Sequence, residues 1–131
     1  MTPMGRAWVR KAEQDRRTLV QLRSCRPMVH SSICFHCQQM AEKYLKALIH
    51  ERGIMVPRTH NCGALVDLLG PSDRTLVRLR KGAAGLNRFA VGPRYPHPFI
   101  VAGASESRTA WNAAERIRAE VRRRLGLRPR P

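Results

Sequence analysis

The stretch "CFHCQQMAEKYLKALI", residues 34–49, decides the fold. Together with Ile33 before it, Cys37, Met40, Ala41, Tyr44, Leu45 and Leu48 recur at intervals of three and four. At 3.6 residues per turn that spacing places them on one apolar helix face. It predicts a helix over about 30–52, with Ser31 or Ser32 as its N-cap, Gly53 at its C-terminal exit and Pro57 preventing an early restart.

Moving outward, the same period appears on both sides. Trp8, Ala12, Leu19 and Leu22 mark an amphipathic helix over about 5–24 that ends near Pro27. "THNCGALVDLLGP" (59–71) carries a capping candidate at Thr59 or Asn61 and the leucines of a short helix closed by Gly70 and Pro71. In the next segment, Ser72 is the expected N-cap, with Asp73 in the first turn and Leu76, Leu79, Ala83, Leu86 and Ala90 on one face. Gly82 and Gly85 either weaken that helix or let a neighbour approach closely. Ala110, Ala114, Ile117, Val121 and Leu125 define a last helix over about 104–125, followed by a short Arg/Pro tail from about 126. No strand-like alternation of useful length interrupts the series. The expected fold is all-α: one domain over 1–131, an up-and-down antiparallel bundle of four main helices plus one short helix.

Bulk composition narrows the function classes. The 131 residues carry 25 basic and 9 acidic side chains, a formal net charge of +16, and 21 of the 25 basic residues are arginine. Such a charge favours polyanions, because each neutralised phosphate releases counterions. Arginine excess beside many Ala, Gly and Pro also arises from genome composition, so charge leaves both readings open. No run is apolar enough for a membrane span and the N-terminus lacks a signal-peptide pattern, so a cytoplasmic protein is expected, with its four cysteines reduced.

Three features invite chemistry. On the central helix, His36, Gln39, Lys43, Lys46 and His50 form one polar stripe, which suits phosphate or base edges but on periodicity alone better suits a solvated face with a Glu42–Lys46 pair. "CFHC" with His60 and Cys62 offers four metal-ligand types. Structural zinc half-sites sit on tight turns, however, and Cys34 and Cys37 lie inside a strong helical pattern, so no metal is expected and both read as packing residues. "FAVGPRYPHPF" (89–99) sets Arg94, Tyr95 and His97 among three prolines that deny helix, so the longest irregular connection, 91–103, displays these side chains at low entropy. A stiff connector capping the bundle end is the plainer account of the same stretch. No glycine-rich phosphate loop, paired-carboxylate motif or activated thiol is present, and no cofactor is implied.

"AWVRKAEQD" (7–15), the central stretch at 34–49, "VPRTHN" (56–61), "LN" (86–87) and "RYP" (94–96) together resemble the HEPN family, the higher eukaryote and prokaryote nucleotide-binding domain. The resemblance runs from about Ala7 to Leu127. It implies a helical bundle, usually a homodimer, that binds nucleotide or RNA and is often paired with a minimal nucleotidyltransferase in a toxin–antitoxin-like system. It carries over onto His36, Gln39, Lys43, His60, Arg94 and Tyr95 as the nucleotide- or RNA-binding set.

Members that cleave RNA without metal use an arginine followed a few positions later by a histidine, with Arg94, His97 and His60 as the candidates here. Two residues separate Arg94 from His97, one of them Pro96, while three separate Arg26 from His30 and seven separate Arg52 from His60. Because Pro96 excludes a helical turn at the first of these, the sequence leans against an enzyme. It keeps a metal-independent ribonuclease, and a purely structural interaction partner, as alternatives.

Overall fold

The computed structural model describes residues 1–90 and 102–131. Arg94, Tyr95 and His97 lie outside the described residues. Among those described there are five α-helices and no strand: α1 (Pro3–Ser24), α2 (His30–Glu51), the short α3 (Cys62–Leu69), α4 (Arg74–Leu86) and α5 (Ala104–Arg124), with one 3-10 turn at Asn87–Phe89. This is the expected set of four main helices and one short one.

The contacts fix the directions. Glu51 at the end of α2 accepts from the Thr2 backbone N–H at the start of α1, at 3.0 Å, so these two helices run antiparallel. His30 at the start of α2 meets Ser107 near the start of α5 at 2.8 Å, so α2 and α5 run parallel. Asp73, just before α4, meets Arg124 at the end of α5, so α4 runs antiparallel to α5. The directions are therefore up, down, up, down, yet the two parallel helices α2 and α5 pack directly on one another, while α3 packs on both α2 and α4.

Helix α2 becomes the axis of the fold. Its seven expected core residues are all buried, and so are Cys34, Ala47 and Ile49, together with the polar Gln38, Glu42 and Lys46. A helix buried nearly all round reads as a core helix, not an amphipathic surface helix. Cys34, Cys37 and Cys62 are buried among apolar neighbours, and burial pushes the thiol of Cys34 up to about 11 and that of Cys62 to about 12. Thiols so held stay protonated and inert.

Helix ends differ from expectation at two places. No serine caps α2: Val29 occupies the N-cap without a side-chain bond, and its carbonyl accepts from Ile33 N–H at 3.1 Å. Residues 31 and 32 instead lie within the first turn, because His30 is drawn into the helix by its contact with Ser107 on α5. For α4 the cap is Asp73 and not Ser72. Its Oδ1 accepts from the N–H groups of Thr75 and Leu76 at 3.1 and 3.2 Å, while both oxygens also take Arg124 at 2.7 and 2.9 Å. A carboxylate serves the four unpaired N–H groups as well as a hydroxyl does, and it adds an ion pair to the next helix. The other expected signals hold: Asn61 caps α3 through Ala64 N–H at 2.9 Å, and Gly53, with φ of 73°, closes α2. Gly82 is a point of close approach, since a Cβ there would lie 3.2 Å from that of Ala113 on α5.

One buried network ties three helices together. The Tyr44 hydroxyl on α2 donates to Glu13 on α1, Arg118 on α5 donates to Glu13 at 2.8 Å, and Arg122 donates to Tyr44 at 3.1 Å. Burial by itself would raise the Glu13 carboxyl, but the hydrogen bonds from Arg118 and Tyr44 and the two nearby guanidinium charges hold it below its usual range. Burial, then the Glu13 bond, pushes Tyr44 up to about 12. The carbonyls of Arg128 and Arg130 accept from Arg122 and Arg118, so the Arg/Pro tail lies back against α5.

Removing one partner of a buried pair strands the other. Glu13→Ala should cost about 3 kcal/mol in urea unfolding, whereas Asp67→Ala, whose pair with Arg80 is half-exposed on both sides, should leave the midpoint almost unchanged. The Asp73 carboxyl, held by Arg124 and by the N–H groups of α4, is lowered from 3.8 to about 2. A depressed folded-state value stabilises the protein above pH 3.8, and that contribution is lost as pH falls through about 2. Asp73→Asn, which keeps a good cap but loses the ion pair, should flatten the acid limb of a stability-versus-pH curve in that window.

Candidate functional site

The polar residues of α2 fall into two neighbouring rows, and the structure covers each from a different helix. The row His36, Gln39 and Lys43 faces α1. There Asp15, itself buried, takes His36 Nδ1 at 2.8 Å on one oxygen and Lys43 Nζ at 2.5 Å on the other. The row Gln38, Glu42 and Lys46 faces the start of α3. Glu42 Oε1 accepts from Gln38 Nε2 at 3.0 Å and from His60 Nδ1 at 2.9 Å, and its Oε2 accepts from Lys46 Nζ at 3.2 Å. Gln39 joins the rows, donating to Gln38 Oε1 at 2.7 Å.

The Glu42–Lys46 pair expected from spacing is present, but it is not a solvated face. The two side chains are 6% and 8% exposed, and Lys46 Nζ lies 5.5 Å from the centre of the Trp8 ring on α1. The same construction therefore occurs twice on one helix: a buried carboxylate holds one lysine and one histidine. Since a carboxylate oxygen only accepts, each histidine donates through Nδ1–H and turns its Nε2 away from the acid. His60, with its side chain 68% exposed, offers that nitrogen to solvent; His36 and Lys43 are partly covered.

Local structure explains why His60 sits there. Residues 54–61 cross from the end of α2 to the start of α3, and Gln38 Nε2 also donates to the His60 carbonyl at 3.0 Å. The backbone and the ring are thus both fastened to α2. Asn87, in the 3-10 turn after α4, accepts from Cys62 N–H at 2.8 Å and donates to Asn61 Oδ1 at 2.8 Å. That stitch places the end of α4 beside His60, three residues before the described stretch ends at Ala90.

Of the sequence-derived set, His36, Gln39, Lys43 and His60 are linked through Asp15 and the Gln38–Glu42 pair on one polar side of α2; Arg94 and Tyr95 fall outside the described residues. Asp15, Glu42 and Asn87 were not singled out from sequence as functional. Asp15 carried a signal: with Ala12 three residues before it and Leu19 four after it, it interrupts an otherwise apolar stripe. Among the described residues no group of three or more His, Cys, Asp or Glu side chains comes together as a metal would need, and no helix is long and apolar enough to cross a membrane. Chemically, this face can offer the Lys43 ammonium to phosphate oxygens, and an oriented imidazole whose Nε2 lone pair is open to a proton-transfer step.

Comparison with known proteins agrees with the architecture. No curated protein matches the sequence significantly. In solved structures, the archaeal HEPN homologue ST0689 superposes with a TM-score of 0.70 at 25% identity, over 92% of this chain and 97% of the other. TT1696 from Thermus thermophilus does so with a TM-score of 0.68 at 28% identity, over 95% and 100%. The HEPN domain sequence profile matches residues 6–124. With the profile spanning nearly the whole bundle and an archaeal HEPN homologue sharing its fold, the chain belongs to the HEPN domain family.

Proposed function

We propose that this domain binds nucleotide or RNA through the polar side of α2, as a cytoplasmic homodimer working with a minimal nucleotidyltransferase in a toxin–antitoxin-like pair. The observation that carries the binding reading is the doubled carboxylate–histidine–lysine arrangement. The partly exposed Lys43 ammonium is a donor for phosphate and the two imidazoles, with fixed Nε2 direction, are acceptors for ribose hydroxyl or base N–H groups; all are ordered before a ligand arrives, which lowers the entropy cost of binding. Arg94 and Tyr95 belong to the proposed set on sequence grounds, as a bidentate phosphate contact and a stacking surface.

A second reading is a metal-independent ribonuclease. The Glu42–His60 contact favours it, because a carboxylate-oriented imidazole with an exposed nitrogen is the form an acid–base residue takes. His97, beside Arg94, is the other candidate.

Calorimetric titration of ATP tests the binding reading. His60→Ala, Lys43→Ala and Arg94→Ala should each weaken affinity severalfold or more; unchanged affinity in all three removes the α2 face as the ligand site. Incubation of the purified protein with total RNA in the presence of chelator separates the two readings. Cleavage that is lost in His60→Ala or His97→Ala supports the nuclease, and intact RNA with retained ATP binding supports the binding module.

A further inference from the structure

Away from that face, α4 and α5 diverge from their close contact at Gly82 and Ala113 to leave a groove of about 680 Å³. That volume is within the range that encloses small organic ligands. Its edges carry four exposed cations, Arg78, Lys81 and Arg88 from the α4 side and Arg116 from α5. Among the described residues Arg78, Lys81 and Arg116 make no hydrogen bond or ion pair, and Arg88 only stacks over Phe89, 4.7 Å from the ring centre. The single acid on the lining, Glu106, already accepts from Gly103 N–H at 2.9 Å. Four cations against one carboxylate leave a formal excess of three positive charges. The floor is different in kind: half-buried Leu79, Gly82, Ala84 and Ala113 supply apolar wall over the buried Leu86 and Phe89, and Gly85 faces open space, with nothing within 4 Å of where its Cβ would be.

We propose that this groove is a binding track for single-stranded RNA, with backbone phosphates on the cationic edges and bases against the apolar floor. Cations from two helices on either side of an apolar trough match the alternation of phosphate and base along a strand. A second copy of the chain is the poorer occupant. A two-fold pairing through this groove would set like-charged edges against each other, with one carboxylate per copy to offset four cations. The track is separate from the α2 face and rests on the nucleic-acid side of the function proposed above.

The experiment measures fluorescence anisotropy of a short, fluorescein-labelled single-stranded RNA of mixed sequence across a salt series, using the full chain. Arg78→Ala combined with Arg116→Ala should weaken binding about tenfold or more and reduce the slope of log affinity against log salt by roughly two. Gly85→Leu should fill the trough, weaken RNA binding with charge unchanged, and keep or raise the melting temperature, since leucine is the better helix former and its Cβ meets no neighbour. ATP affinity should be unaffected by these variants, whereas His60→Ala should lower it. RNA affinity that survives both groove variants overturns the proposal. So does a wild-type protein that binds ATP but no RNA, or a Gly85→Leu protein whose oligomeric state changes in sedimentation while its RNA affinity does not.

Discussion

A helix buried nearly all round cannot leave an inward-facing charge unmet, and α2 carries Gln38, Glu42 and Lys46 inside that enclosure. An isolated buried charge costs far more than a hydrogen bond returns, so each of these groups must find its partner from a neighbouring helix or from its own next turn. Glu42 meets that requirement with three donors, from Gln38, Lys46 and His60. Two of them lie on α2 itself, and the third fastens the start of α3 to it. The rest of the fold is arranged around such demands.

Apolar packing alone leaves helices free to slide by a turn at small cost, because one leucine substitutes for another in a groove. The polar contacts remove that freedom. Glu13 must reach Tyr44 and Arg118, and Asp15 must reach His36 and Lys43, so α1 is fixed along α2 at two successive points. A shift of α1 by one turn would strand both acids together. Asp73 does the same service between α4 and α5 through Arg124, although near the surface, where the gain is smaller. The direct packing of the parallel helices α2 and α5 follows, since Tyr44 and Arg122 lie on the pair's shared side.

Most of the helical plan was legible because the signals were local. Spacing found five helices, Gly53 and Asn61 marked their ends, and the apolar stripe of α2 named its core. What was not legible depended on other elements. Ser72 looked like a cap as good as Asp73, and only Arg124, about fifty residues later in the chain, makes the carboxylate the better choice. The stripe of α2 looked more like a solvated face than a binding one, because spacing does not say which helix comes to cover it. It proved to be two rows, each held by an acid from elsewhere or from its own neighbouring turn. The histidines were visible in the sequence; the acids that orient them were not, apart from Asp15, whose place within an apolar stripe marked it.

The same accounting bears on the charge of +16. All nine acidic residues lie within the described chain, and each already has a partner: Glu13, Asp15, Glu42, Asp67, Asp73, Glu115 and Glu120 hold basic side chains, Glu51 holds the Thr2 backbone and hydroxyl, and Glu106 holds Gly103 N–H. Among the described residues Glu106 is the one acid without an ion pair. Some of the remaining cations hold other partners, as Arg52 does the Leu69 carbonyl and Arg23 the Trp111 ring, and the exposed rest repel one another. Genome composition is one source of arginine in place of lysine, but it does not place four of the surplus charges around one open groove while the buried arginines Arg118 and Arg122 are fully engaged. Arginine thus plays two roles separated by location, inside as a partner that fixes the helices and, around the α4–α5 groove, as exposed charge with no carboxylate to hold it.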